Sequence, residues 1–239
     1  MLSAKAALRS GVGIAKCVLP KSIYAPFTCF LPEAVCVPTD ETENGALKFS
    51  AIDFKTLLPT CNAVLFGCGS GKCEDIQKIS EYLVLNCEKP LIIDADGINV
   101  LAESIELLKQ SKAPIILTPH PAEMARLLKT DAEAVEENRA EIAQKFAAEY
   151  NCTLVLKGHE TLVAEQNGKL FINKIGNAGM ATGGSGDVLA GILVSLCAQG
   201  ILPEVAARYS VYLHAFAGDK AAKKRSQHAL IPTDIIEEL

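Results

Sequence analysis

Four short apolar runs with almost no polar interruption constrain the fold of this chain more than any other feature. They cover residues 63–66, 90–93, 114–117 and 152–156, and each stops abruptly, at Gly67, Asp94, Thr118 and Lys157. A strand with one wet face alternates apolar and polar residues, whereas an uninterrupted run needs apolar cover on both faces. The stretches between the runs carry helical spacing. Residues 75–86 set Ile76, Ile79, Leu83 and Val84 on one face, and residues 131–150 do the same with Val135, Ile142 and Phe146. Strand alternating with helix is the pattern of a doubly wound, mainly parallel α/β sheet flanked by helices.

Beyond residue 156 the rhythm changes. Extended runs at 161–164 and 170–173 flank Gln166-Asn167-Gly168, and Asn-Gly between such runs signals a hairpin. A glycine-rich loop follows, then helical stretches over 187–199 and 203–224. No repeat, low-complexity tract or linker interrupts the chain, so residues 1–239 read as a single domain.

Composition narrows the function classes. Hydrophobic residues make up 49% and charged residues 21%, with a net charge of −5, the balance of a globular chain with a sizeable core. A mildly acidic chain argues against non-specific nucleic-acid binding, which needs clustered Lys and Arg. No apolar run reaches the roughly 18 residues of a membrane helix, and Lys16 and Pro20 interrupt any signal-peptide pattern. The nine cysteines are odd in number and sit in apolar segments, as expected of free thiols in a reducing cytoplasm. Cys68 and Cys73 lie close in sequence without a histidine beside them, and no metal site is expected there.

Ligands of such sheets bind at the carboxyl ends of the strands, and every polar motif in this sequence falls at such an end. The sharpest runs from Gly176 through Asn177 to Gly183-Gly184-Ser185-Gly186-Asp187, directly before an apolar helix. Inward-facing amides of a glycine-rich turn, with the free N–H groups of the next helix, make an anion hole for a phosphate. Asp187 would stand beside that phosphate as a base, or simply cap the helix. Gly69-Ser70-Gly71-Lys72-Cys73 imitates the tail of a Walker A loop. The first glycine of that motif would fall on Phe66 and its hydroxyl residue on Cys73, so the P-loop reading fails. The glycines here are instead expected to let backbone approach a ligand.

In Thr118-Pro119-His120-Pro121-Ala122-Glu123, Pro121 suits a first helical position and Glu123 a capping carboxylate, which leaves His120 over as a candidate ligand. Asp94, Asp96 and Asn99 follow a buried strand, and Asp96 could equally cap a helix beginning at Gly97. Lys157-Gly158 puts a cation where a nucleotide phosphate could take it. His214 and His228 read as satisfied structural histidines.

Taken in order, these motifs resemble the ADP/ATP-dependent NAD(P)H-hydrate dehydratases of the ribokinase-like superfamily. The resemblance runs from about Leu2 to the C-terminus, and the stretch from Asn177 to Asp187 together with the His120 segment makes it specific. It implies repair of hydrated NADH and NADPH (the S epimer) with ADP or ATP as co-substrate and Mg²⁺ carried on the nucleotide phosphates. Asp187 would be the catalytic base. Gly69, His120, Asn177, Asp96 and Asn99 would join Asp187 around the hydrated nicotinamide. Lys157, Gly158, His159, Glu160 and Thr161 would line the adenine nucleotide, with Gly183, Gly184, Ser185 and Gly186 at its phosphate end. A homo-tetramer is also implied. Family members usually begin with a further strand and a Gly-Ala loop, whereas Met1-Leu2-Ser3-Ala4-Lys5 resembles the helix after that loop. Residues 13–19 and 63–66 are therefore expected to border a gap in the sheet. Two other readings are a ribokinase-like kinase for a vitamin-precursor alcohol and a non-catalytic nucleotide-binding module.

Overall fold

In the computed structural model, which describes residues 1–239, the four apolar runs become parallel strands: β3 (Val64–Phe66), β4 (Leu91–Ile93), β5 (Ile115–Leu117) and β6 (Thr153–Leu156). Two antiparallel strands, β7 (Leu162–Ala164) and β8 (Leu170–Ile172), complete a six-stranded sheet in the order β3-β4-β5-β6-β7-β8. Each of the four parallel strands starts one residue later than its run. The leading prolines still take part as acceptors, the Pro90 carbonyl from Val64 N at 2.9 Å and the Pro114 carbonyl from Leu91 N at 3.0 Å.

Two cores explain the lack of alternation in the runs. Leu91 and Ile93, Ile115 and Leu117, Leu154 and Leu156 belong to a cluster of 30 buried residues. The residues between them, Ile92, Ile116 and Val155, point to the opposite face and join a second cluster of 19. Helices α4 (Glu74–Asn86), α5 (Asp96–Leu101), α6 (Pro121–Leu128), α7 (Ala132–Glu137) and α8 (Arg139–Glu149) contribute to the first core. The second is covered by α1 (Leu2–Arg9), α9 (Ser185–Ala198), α10 (Pro203–Arg225) and α11 (Pro232–Glu237). The strand order never reverses, so the crossover helices share one face, and α1 with the helices after the hairpin covers the other.

The helix expected over 131–150 is two helices. Asn138, at φ −126°, ends α7 and precedes α8, and its Nδ2 turns back to the Ala134 carbonyl at 3.4 Å. Asparagine competes in this way with the helical ladder. Residues 13–19 contribute to β1 (Lys16–Pro20), which pairs in parallel with β2 (Val35–Thr39) in a separate two-stranded sheet, while β3 is the outer strand of the larger one. The remaining helices, α2 (Tyr24–Phe30) and α3 (Phe54–Leu57), are short. None of the helices is long and apolar enough to cross a membrane. All nine cysteines are free thiols.

Candidate active site

The carboxyl ends of β3 to β6 meet at Asp94, the first residue after β4. A carboxylate that is 1% exposed, as this one is, requires partners. Thr118, just past β5, donates its hydroxyl to Asp94 Oδ1 at 2.7 Å, and Lys157, just past β6, brings Nζ to the same oxygen at 2.7 Å. Glu123 Oε2 stands 3.7 Å from the same ammonium. Burial alone would lower the Lys157 pKa, but the Asp94 and Glu123 carboxylates outweigh it and hold the value above that of a free lysine. The lysine expected to face a phosphate directly is thus already engaged by two carboxylates.

The glycine loop delivers Asp187 to this cluster. Its carboxylate, the Asp94 carboxylate and Cys68 Sγ lie within 4.8 Å of one another. Burial, with the Asp94 charge added, raises the Asp187 pKa above the ordinary aspartate value. The Cys68 thiol, 3.8 Å from Asp94 Oδ2, is pushed well above the normal thiol range by burial and by both carboxylates. Asp187 is not the helix cap. Gly184 takes that position at φ +92°, and Asp187 is the third residue of α9, with no capping hydrogen bond. A Cβ on Gly186 would sit 3.2 Å from Lys157 Nζ, so the first turn of α9 lies directly over the lysine–aspartate pair.

Glycine at position 67 serves packing within the chain rather than approach to a ligand. At φ +113° it leaves room only for hydrogen, and a side chain would collide with the Asp94 carbonyl oxygen. Gly69, at φ +66°, is open, with nothing within 4 Å of a built Cβ.

His120 is no bystander to its helix. Its Nδ1 accepts from Ala122 N at 3.2 Å and Glu123 N at 3.3 Å, while the His120 backbone N–H donates to Glu123 Oε2 at 2.8 Å. This closes a capping box on α6 with histidine in the role usually held by Ser or Thr. Burial and the Lys157 and Arg126 charges lower the His120 pKa against the pull of Glu123, in keeping with a neutral ring whose Nδ1 accepts. Its side chain remains 46% exposed, so the ring is open to a ligand as well.

The other candidates are more widely spread. α5 begins at Asp96 rather than Gly97, and Asp96 Oδ2 accepts from Gly71 N at 3.0 Å instead of capping that helix. Asn99 Oδ1 accepts from Arg126 Nη1 at 2.8 Å. Asn177 ties the glycine loop to α10 through Asp219 Oδ1 at 2.8 Å and makes no hydrogen bond to the Asp94 cluster. Ser185 meets His214 at 3.2 Å, in line with a satisfied histidine, whereas His228 is exposed and has no hydrogen-bond partner. Gly158, His159, Glu160 and Thr161 form the turn from β6 to β7, where the Thr161 hydroxyl donates to the Gly158 carbonyl at 3.0 Å. Gly183 is the open residue before the cap. Sequence reasoning missed Arg139, which reaches this turn from α8. Its only signal was an arginine at the break in a helix read as continuous.

A family model described as NAD(P)H-hydrate dehydratase matches residues 1–239. The bifunctional NAD(P)H-hydrate repair enzyme Nnr of Moorella thermoacetica is 39% identical over 239 residues, and the match takes in 100% of this chain and 45% of the relative. The chain therefore spans less than half the length of that curated relative. Among solved structures, the Bacillus subtilis ADP/ATP-dependent NAD(P)H-hydrate dehydratase, co-crystallised with ATP/Mg²⁺, superposes with a TM-score of 0.81 at 26% identity, over 99% of this chain and 80% of that one. A ribokinase-like superfamily protein of Enterococcus faecalis gives a TM-score of 0.82 at 28% identity, over 99% and 78% of the two chains. The fold is ribokinase-like. With the model spanning every residue and the Asp187 loop seated over the strand ends, the chain belongs to the NAD(P)H-hydrate dehydratase family.

Proposed function

We propose that this chain dehydrates the S epimer of hydrated NADH and NADPH, using ADP or ATP to turn the ring hydroxyl into a leaving group. One observation carries the reading: Asp187, its pKa raised by burial and by Asp94, stands on the first turn of α9, where free amides favour a phosphate. Asp187 takes the proton of the ring hydroxyl, and that oxygen attacks the terminal phosphorus as the bond to the nucleotide breaks. The ring nitrogen then expels inorganic phosphate, and loss of a proton from the neighbouring carbon restores the dihydropyridine. A carboxylate near neutral pH is a better base when its pKa is raised.

Residues 1–239 act as one catalytic unit in this proposal. Gly69 and His120 hold the nicotinamide end with Asp96, Asn99 and Asn177 around it. Lys157 to Thr161 hold the nucleotide, and Gly183 to Gly186 its phosphates. Mg²⁺ on those phosphates would offset charge on the transferring group. The donors of the cluster suit it only in part: Asp187 and Asp94 Oδ2 are hard oxygens, while the protonated Cys68 thiol is no Mg²⁺ ligand. The reading places the chain in the cytoplasm, where its free thiols stay reduced, and as a homo-tetramer, which light scattering measures directly.

The test is a direct assay. Hydrated NADH incubated with ADP or ATP and Mg²⁺ is expected to regain the reduced-nicotinamide absorbance band in proportion to phosphate released. A stable phosphorylated product without that band would mark a kinase instead, and tight ADP binding with no turnover a binding module.

A further inference from the structure

Arg139, the first residue of α8, lies outside the cluster around Asp94 and is committed to a single task. Its side chain is 16% exposed, and its guanidinium faces the turn between β6 and β7. Nη1 donates to the His159 carbonyl at 2.5 Å, and Nη2 donates to the carbonyls of Leu156 at 3.3 Å and Lys157 at 3.4 Å. Nε lies 3.6 Å from Glu136 Oε2. Three carbonyls of one turn are thus gathered by one planar fork of donors, a geometry that lysine cannot reproduce.

What the fork leaves behind matters as much. The amides of Gly158, His159, Glu160 and Thr161 donate to no group of the chain. Carbonyls drawn toward α8 leave these amides directed elsewhere, and Glu160 is held at φ +54° between its neighbours. Successive amides around a left-handed residue form a concave nest of donors. The glycine is part of the device: a Cβ on Gly158, whose φ is +146°, would lie 2.8 Å from Arg139 Nη2 and displace the guanidinium.

We propose that Arg139 is a positioning residue for the adenine nucleotide: by holding the carbonyls of Leu156, Lys157 and His159, it keeps the amides of residues 158–161 free and aimed at acceptor atoms of the nucleotide. This rests on the nucleotide assignment made above. Arg139 touches neither substrate; it acts through the turn, and through the turn on the strand end that carries Lys157.

The experiment separates the two claims. ADP binding to the whole chain is measured by calorimetry, alongside hydrate turnover, for the wild type, Arg139→Lys, Arg139→Met and Gly158→Ala. Losing a charge-assisted network of this kind is expected to weaken ADP binding, and raise the nucleotide KM, by roughly ten- to a hundredfold in Arg139→Met. The hydrate KM should stay within about twofold of wild type, since binding is lost at one ligand only. Arg139→Lys recovers part of the loss, and Gly158→Ala reproduces it with the arginine still present. Millimolar guanidine restoring ADP affinity to Arg139→Met would confirm that the missing fork, not a general loosening, is responsible. Equal losses for both ligands, or unchanged ADP affinity in Arg139→Met and Gly158→Ala, overturn the proposal. If Arg139→Met does not fold, Arg139→Lys carries the same comparison: a selective loss of ADP affinity supports the role, and unchanged ADP affinity or equal losses for both ligands overturn it. A wild type that binds ADP without restoring the dihydropyridine would sink the dehydratase reading and leave the role of Arg139 standing.

Discussion

In the proposed reaction a single carboxylate, Asp187, is the base, and its surroundings set its strength. Burial and the nearby Asp94 charge raise its pKa, so in the folded chain it gains a proton at a higher pH than a free aspartate would. The base is the ionised form. The acidic limb of kcat/KM is therefore expected above the pKa of an ordinary aspartate, with activity lost as pH falls through it. Asp187→Asn should cost roughly 10² to 10⁴ in rate, and near-normal turnover in a folded variant would remove Asp187 from the role. The sign for stability is the reverse. A raised acid pKa favours the folded state below the unfolded pKa, and that advantage is lost as pH rises through the folded value, so at neutral pH the charged Asp187 destabilises the fold. Asp187→Asn should accordingly melt higher than wild type at neutral pH. Gly186→Val is a second probe at this scale. Its new side chain meets Lys157 Nζ, which a Cβ alone approaches to 3.2 Å. ADP affinity should fall while hydrate affinity holds, and calorimetry of both ligands reads the difference.

At the scale of elements, the start of α6 combines support and exposure in one residue. The His120 ring caps the helix through Nδ1 while almost half of the side chain remains open. His120→Ala should lose the cap, worth about 0.5 to 2 kcal/mol. Asparagine caps well but lacks the imidazole. If the ring also holds the hydrated nicotinamide, His120→Asn keeps the melting temperature and raises the hydrate KM. A variant that keeps both would reduce His120 to a cap. The lysine end of β6 is a second shared point, since Lys157 compensates a buried Asp94 carboxylate. Breaking such a pair by removing one partner typically costs about 3 to 5 kcal/mol. Loss of function in Lys157→Ala would therefore report lost stability along with any nucleotide contact.

Across the whole molecule, the two cores sandwich the sheet, and the candidate site lies at its carboxyl edge. A ligand that binds only the assembled edge stabilises the entire fold by mass action. ADP at about 100 times its Kd should add ~2.7 kcal/mol, which for a chain of this size is roughly 5 to 10 °C in Tm. An ADP titration followed by thermal melting checks this, and an unmoved Tm at high nucleotide would count against nucleotide binding by the native chain.

The sequence by itself determined the strands, the hairpin and the rim. Continuous apolar runs can be satisfied only by cover on both faces, and Leu91, Ile92 and Ile93 divide between the two cores accordingly. Asn167-Gly168 set the turn between β7 and β8, and glycine density ahead of an apolar helix marked the loop that carries Asp187. These are local signals, fixed by backbone conformation and by solvent on one side or both. Tertiary structure decided which partner each polar group takes. Asp94, in sequence one polar candidate among three, became the hub because strands β4, β5 and β6 bring Thr118 and Lys157 onto the same oxygen. Asp187 left the cap to Gly184, and Asp96 and Asn99 turned to Gly71 and Arg126. Arg139 gained its place through contacts 17 to 20 residues away. Hydrogen bonds and charge pairs form between residues far apart along the chain, and their geometry exists only after the apolar faces have packed.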